Sequence, residues 1–408
     1  MNILAELRAL DRQQRAAFYA SFLSWTLDAF DFFLLVFVFK AIAGDFHTQV
    51  ANVAVATMLT LIFRPVGALL FGWLADRYGR HPVLMANVLL FSLLELASAF
   101  APSLHVLFIC RALFGIAMGG VWGVGSSLVM ETIPASSRGV VSGILQEGYA
   151  LGYLLAALVY GLFFQYIGWR GMFIVGVAPA LLVFYIAYQV KESPSWQQAR
   201  QRRVRPGLFS SLRHNWKIFL YVIVLMTAFN FFSHGTQDFY PTFLQTQRHL
   251  SVHQVSALAI VANVGAIIGG VWFGSLSQKI GRRRTIIIAA LLALPVIPLW
   301  AFSTTPLLLA LGAFFIQVAV QGAWGVVPAH LNELSPAEIR ATFPGFAAQL
   351  GNLFASSNQL IQPRLAASHG GNYALALALV AGITAIVLVV ITACGRESRE
   401  SVFAQASL

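Results

Sequence analysis

Between Asn230 and Thr242 the chain reads Asn230-Phe-Phe-Ser233-His234-Gly-Thr236-Gln237-Asp238-Phe-Tyr-Pro-Thr242, placing two amides, an imidazole and a carboxylate in an apolar run long enough to cross a bilayer. An ionisable group at such depth costs about 2.5–3.5 kcal/mol on insertion scales, so it marks a transport path or a paired interior site. On a helix, Ser233, His234, Gln237 and Asp238 fall within an arc of roughly 140° measured from Asn230. One face then offers donors, acceptors and a titratable pair, which is the equipment to hold a small anion and a proton. Asn230, His234 and Gln237 are the candidate anion ligands, and His234 and Asp238 the candidate proton carriers.

A second polar face lies near the N-terminus, where Ser21, Ser24, Trp25, Asp28 and Asp31 share one side of an apolar segment. An aspartate is neutral when protonated in apolar surroundings and charged when water or a cation reaches it. Asp28 and Asp31 are therefore proton-coupling candidates, the other reading being static ion pairs with Arg64 or Arg111. Arg64, just before Pro65, can bind a carboxylate bidentately or neutralise an aspartate of the first segment, and the second role is preferred. Arg111 leads a Gly115/Gly119 stripe suited to close helix packing and is a further anion-binding candidate. Glu95 is expected to pair with Arg111. Gln146, Glu147, Gln349 and Asn352 are read as helix-to-helix hydrogen-bonding groups beside the cavity, and His47, His105, His249 and His253 as interfacial.

These side chains must be positioned by membrane helices. Of 408 residues, 58% are hydrophobic and 10% charged, against about 25% charged in soluble proteins. A bilayer core needs about 20 apolar residues per helix, and twelve such segments recur, at about 17–43, 50–74, 83–100, 104–130, 139–165, 170–189, 216–244, 253–277, 285–303, 306–330, 339–365 and 372–395. The expected class is an all-α membrane protein with twelve transmembrane helices. No metal-spaced cluster, phosphate loop or nucleophile elbow is present, so neither an enzyme nor a cofactor is expected. Cys110 and Cys394 read as packing residues. Segment 1 is too long for the apolar region of a cleavable signal and carries Asp28 and Asp31, so no signal peptide is expected.

The net charge of +11 has a topological pattern. Arg8, Arg12 and Arg15 precede segment 1, Arg77 and Arg80 follow segment 2, Arg138 follows segment 4, and Lys191, Arg200, Arg202, Arg203, Arg205, Arg213 and Lys217 lie between segments 6 and 7. Lys279, Arg282, Arg283, Arg284, Arg340, Arg396 and Arg399 continue the same side, making twenty cations against Lys40, Arg170, Arg248 and Arg364 on the other. By the positive-inside rule both termini are expected in the cytoplasm. The basic surplus faces anionic lipid headgroups rather than nucleic acid.

The two halves align at a constant offset of 202 residues: Gly72…Asp76-Arg77…Gly79-Arg80 answers Gly274…Gln278-Lys279…Gly281-Arg282, Trp122-Gly123 answers Trp324-Gly325, and Glu131 and Arg138 answer Glu333 and Arg340. Residues 1–190 and 216–408 are the expected six-helix bundles, with 191–215 as a cytoplasmic linker. A parallel repeat of this kind places substrate near the midplane between halves. Asp28 corresponds to Asn230 and Asp31 to Ser233, so the two polar faces are expected to look at each other. Asp76 is suited to pair with a cation or a helix N-terminus and clamp the basic side in one state. The second copy carries Gln278 instead, which argues against a symmetric second clamp.

Gly72…Asp76-Arg77…Gly79-Arg80, together with Arg111-Ala-Leu-Phe-Gly115-Ile-Ala-Met-Gly119, resembles the major facilitator superfamily over essentially the whole chain. Gly148-Tyr-Ala-Leu-Gly152 lacks the Gly-Pro-rich signature of drug antiporters, which favours uptake. The segment from Asn230 is similar to the signature of the fungal monocarboxylate permeases, within the sialate:proton symporter group, at Asn230, Ser233, His234, Thr236, Gln237, Asp238 and Thr242. That resemblance implies proton-coupled uptake of small monocarboxylates such as lactate or pyruvate, with His234, Gln237 and Asp238 in binding and coupling. It implies a monomer of an inner-membrane type, with a small organic anion and protons as partners. A sialic acid:proton symporter and a carboxylate sensor that moves nothing are the alternatives.

Overall fold

The structure, a computed structural model, describes residues 9–201 and 208–397. Arg8, Arg202, Arg203, Arg205 and Arg399 of the charge pattern, the outer ends of both expected bundles and the middle of the expected linker lie outside the described residues.

The first half contains α1 (Arg12–Phe37), α2 (Val50–Tyr78), α3 (Arg80–Ala99), α4 (Leu104–Thr132), α5 (Arg138–Gln146), α6 (Gly148–Val175) and α7 (Ala180–Gln189). The second contains α8 (Trp216–Gln237), α9 (Tyr240–Thr246), α10 (Val252–Ile280), α11 (Arg282–Phe302), α12 (Pro306–Trp324), α13 (Val327–Leu334), α14 (Thr342–Ala355), α15 (Asn358–Ser368) and α16 (Tyr373–Cys394). Among the described residues, ten stretches are long and apolar enough to cross a membrane. One of these, Ala135–Gln189, runs to 55 residues and is divided by Gly168, whose φ of 60° ends helical geometry inside α6. The paired helices α14 and α15 supply another crossing, and the twelve-span architecture follows. Outward-facing side chains such as Leu162, Leu181, Phe184, Leu307 and Ile383 are exposed, as lipid-facing positions of a multi-pass membrane protein must be.

The repeat is visible in local chemistry. Gly79 and Gly281 each stop a helix at positive φ, 119° and 100°, a conformation that glycine adopts at least cost. His47 and His249, also related by the offset of 202, turn the chain at φ 49° and 52°. Ser103 and Thr305 cap the helices that follow by accepting from Val106 N and Leu308 N, which satisfies amides left unpaired in the first turn.

Segments 1, 5, 6, 7, 10 and 11, expected as single helices, are each broken, segment 1 at Val38, segment 5 at Glu147 and segment 6 between Val175 and Ala180. Segment 7 stops at Gln237 and restarts at Tyr240 with Pro241 in its first turn, segment 10 restarts before Pro328, and segment 11 breaks at Ser356-Ser357. Proline lacks the N–H needed to continue a helix and is tolerated at a helix start. Apolar length therefore marks these segments while the breaks escape it.

Two pseudo-equivalent seams join the halves, α2 against α14 and α5 against α10. Both are built on glycine: a Cβ on Gly72 would lie 2.5 Å from Thr342 Cα, and one on Gly274 would lie 2.6 Å from Gly143 Cα. Helix backbones thus approach as closely as small residues allow.

Candidate functional site

The basic ends of the seams are closed by charge. Asp76 lies at the end of α2 and accepts from Ala341 N at 3.0 Å, Thr342 N at 3.0 Å and Thr342 Oγ1 at 2.6 Å, all at the start of α14. It also meets Arg80 at 3.0 Å. A carboxylate at a helix N-terminus satisfies unpaired amides and the helix dipole together. Gln278, at the corresponding place, accepts from Gly139 N at 3.1 Å and from Arg282 Nη2 at 3.0 Å. The two ends are therefore not symmetric, as the substitution implies: the second contact across the seam is made by a neutral amide where the first is made by a carboxylate. Gly72 and Gly79 shape the first clamp as described, while Arg77 lies over the rings of Trp73 and Tyr78 at 5.5 Å each. Beneath the clamps, Glu131 takes Arg80 at 3.0 Å from its own half and Arg340 at 3.6 Å from the other, while Glu333 takes Arg282 at 2.9 Å and Arg138 at 3.9 Å.

Further along the helices, the face predicted on α8 is assembled. His234 Nδ1 lies 3.1 Å from both carboxylate oxygens of Asp238, and Nε2 lies 2.9 Å from Asn352 Oδ1 on α14. Gln359 of α15 donates to Asp238 Oδ2 at 2.7 Å, and Gln237 donates to Gln317 of α12 at 3.0 Å. Asn230 donates to Met226 O at 2.8 Å within its own helix. The His234 and Asp238 side chains are 32% and 19% exposed, so water can reach them. Both nitrogens of His234 meet acceptor oxygens, whereas a neutral imidazole has one N–H. Either a second ring proton or a turned Asn352 amide satisfies the arrangement. Gain or loss of one proton thus re-pairs three side chains on two helices.

The polar residues of the first half are placed otherwise. Asp28 faces Arg64 at 3.9 Å, with side chains 0% and 5% exposed. Arg111 Nη2 lies 2.7 Å from Glu95 Oε2, the partner expected from sequence, and its guanidinium sits 4.8 Å from the rings of both Phe114 and Phe173. Both oxygens of Asp31 are buried without a hydrogen-bond partner. A Cβ on Gly176 would lie 3.1 Å from Asp31 Oδ1 and 2.6 Å from Glu95 Cγ, so Asp31 shares this interior cluster. While Trp25 of the same α1 face packs in one core with Phe229 and Phe232 of α8, Asp28 and Asp31 meet the charges of their own half. Their cations, Arg64 and Arg111, stand on α2 and α4 of the same half, and a buried carboxylate follows its counter-charge. Tyr149 of α6 lies within electrostatic reach of Arg64, Asp28 and Asp238, spanning the two sets.

Sequence reading overlooked Gln317 and Gln359. An available signal was the polar run Ser356-Ser357-Asn358-Gln359 inside an apolar segment, where Gln362 also donates to Gly235 O at 2.7 Å. Asn352, singled out beforehand, bonds His234, whereas Gln349 Oε1 is buried without a partner.

Comparisons with known proteins bear on this arrangement. A yeast protein, the carboxylic acid transporter protein homolog of Saccharomyces cerevisiae, is 28% identical over 392 residues, covering 90% of this chain. The chain spans 64% of that protein's length. Sialic acid transporter NanX of Escherichia coli is 26% identical over 90% of each chain. Among solved structures, the proton:xylose symporter XylE bound to 6-bromo-6-deoxy-D-glucose shares the fold with a TM-score of 0.79, at 19% identity over 96% of this chain and 98% of its own. The sequence pattern of the Major Facilitator Superfamily matches residues 21–259 and 223–405, two overlapping matches that together span most of the chain. With two seamed helical halves, a charged clamp at one end and a polar site between spans, this chain belongs to the Major Facilitator Superfamily, a family of membrane transporters.

Proposed function

We propose that this protein is a proton-coupled importer of small monocarboxylates such as lactate or pyruvate, working by alternating access, with its basic end and both termini in the cytoplasm. The observation that carries the reading is the network of His234, Asp238, Asn352 and Gln359, in which a titratable pair sits among neutral amides and is open to water. A carboxylate substrate would replace Asp238 as the acceptor for His234, with Gln237, Gln317 and Gln359 supplying donors. Protonation of Asp238 removes the negative charge that would repel the anion, so proton and substrate bind with positive cooperativity. Asp31, with Glu95 and Arg111 beside it, is the second candidate for the transported proton, and Asp28 the third. Arg64, whose pair with Asp28 is long at 3.9 Å, keeps donors for a substrate carboxylate when that pair opens. Arg111 serves as a fixed counter-charge for Glu95. The clamp of Gly72, Asp76, Arg77, Gly79 and Arg80 would hold the cytoplasmic end shut while the site faces outward, in the inner membrane of a bacterium.

The likeness to a relative named for carboxylic acids supports this reading, and that to NanX favours sialic acid as the rival substrate. Uptake of labelled L-lactate, pyruvate and sialic acid into proteoliposomes, with and without an alkaline interior, tests them. Gradient-driven accumulation of lactate or pyruvate is expected. Uptake of sialic acid alone would move the substrate to the rival, and no uptake of any of the three by folded protein would sink the monocarboxylate reading and turn attention to other anions or to the sensor.

A further inference from the structure

Glu147 has no part in the path described above, yet it is a carboxyl group shut into the seam between the halves. Span 5 breaks at this residue, α5 ending at Gln146 and α6 beginning at Gly148. Its side chain reaches the other half, where a Cβ on Gly270 of α10 would lie 1.9 Å from Glu147 Oε1. The residue is 6% exposed, and Oε1 has no hydrogen-bond partner. One turn earlier, Gly143 seals the same seam, since a Cβ there would lie 2.5 Å from Gly270 O.

The elements around Glu147 present no charge to it among the described residues. On either side, Gln146 accepts from Trp122 of α4 at 3.2 Å, and Gly148 packs on Trp25 and Thr26 of α1. The nearest titratable residue along the chain, Tyr149, turns its ring to Trp25 and Phe33. Gln349 stands at the equivalent place in the second half, where it is also buried with Oε1 unpartnered. An amide there has no proton to exchange, so only one of the two equivalent positions can titrate.

A carboxylate removed from water with neither cation nor donor costs several kcal/mol, a cost that the neutral acid largely escapes. Closing α5 on α10 therefore takes up a proton at Glu147, and parting them lets water in and releases it. The residue also lies on the basic side of the candidate site. It is nine residues, or ~14 Å, along the helix from Arg138, whereas His234 is ~27 Å from Trp216.

We propose that Glu147 is a proton-operated lock on the seam at the basic end. Protonated, it permits closure; ionised, it drives the halves apart. The closed form binds more protons, so its share is greatest at low pH and falls as pH rises, by at most ~tenfold per pH unit for one group. With the basic end in the cytoplasm, a detail that rests on the transport reading, an acid cytoplasm would hold the carrier shut on that side and limit further entry of acid with its proton.

The test follows the seam directly. Ser136 and Glu338, exposed loop residues related by the repeat, are replaced by cysteine in a Cys394→Ser background and spin-labelled, Cys110 being buried. Pulsed-resonance distances are then measured on the full chain in lipid nanodiscs from acid to alkaline pH. The parent is expected to lose its short-distance population as pH rises, Glu147→Gln to stay short throughout, and Glu147→Asp to keep a pH response. A parent that does not respond, or a Glu147→Gln variant that titrates like the parent, overturns the proposal. So does a response abolished by His330→Gln and kept by Glu147→Gln, because His330 is a second buried group near this end with both nitrogens unpartnered. No substrate enters this measurement, so failure of the transport reading would leave the lock standing. Uptake without a pH-dependent distance would remove the lock alone.

Discussion

The two halves of the repeat hold their polar residues in opposite ways. The first half keeps charge dry: Asp28 with Arg64, and Glu95 with Arg111, have side chains at most 5% exposed, and Asp31 is buried beside them. The second half surrounds one titratable pair with amides and leaves it partly open. The difference teaches what each can do. Buried opposite charges lose much when separated, so such a cluster favours few arrangements and responds mainly to protons. Amide hydrogen bonds are worth about 1 kcal/mol net, so a ligand can take the place of one at little cost.

Breaking the dry side should have the largest effect. Arg111→Ala leaves Glu95 uncompensated and should cost about 3–5 kcal/mol, seen as a large drop in thermal midpoint. Adding Glu95→Gln should restore much of it. If Arg111→Ala were as mild as a surface change, the first half would not be a charge store.

Next comes Asp238→Asn, which on the proposed transport reading should abolish gradient-driven accumulation of lactate or pyruvate while sparing exchange across proteoliposome membranes. Unchanged uphill uptake would shift the proton to Asp31 and place coupling in the first half.

The clamps sharpen the comparison at lower amplitude. Asp76→Asn removes a charge-assisted contact worth about 1.5 kcal/mol over a neutral one, and should raise reagent access to a cysteine at Ser127, buried between the halves, by about tenfold. Gln278→Glu should lower that access, since it adds the charge the second clamp lacks. Equal, small effects from both would mean that the ion pairs of Glu131 and Glu333 hold the seams alone.

The smallest effect is expected from Gln359→Ala, which removes one donor to Asp238 and should raise the half-saturating substrate concentration about fivefold, equivalent to about 1 kcal/mol. A change in maximal rate with no change in half-saturation would make Gln359 a positioning residue for α15.

Much of this architecture was legible before any coordinates. The face from His234 to Asp238 was readable because residues four apart on a helix are neighbours, and the pairing of Glu95 with Arg111 because a buried acid needs a cation. Gln359 and Gln317 escaped notice because each, taken alone in its segment, resembles an ordinary hydrogen-bonding amide. The repeat offset gives equivalent positions on α1 and α8, whereas the partners that Asp28 meets are set by the cations its own half supplies.

By itself, the sequence determined the membrane class, the twelve spans, the repeat and the asymmetry of charge. These are local sums over a segment or a loop, which hydropathy and cation placement record directly. The tertiary structure alone decided where segments 1, 5, 6, 7, 10 and 11 break, that Asp28 and Asp31 meet the charges of their own half, that Asn352 and Gln359 complete the site, and that Glu147 is sealed against Gly270. The physical reason is geometric: turning a helix by a fraction of a turn changes every partner it meets and leaves its composition untouched.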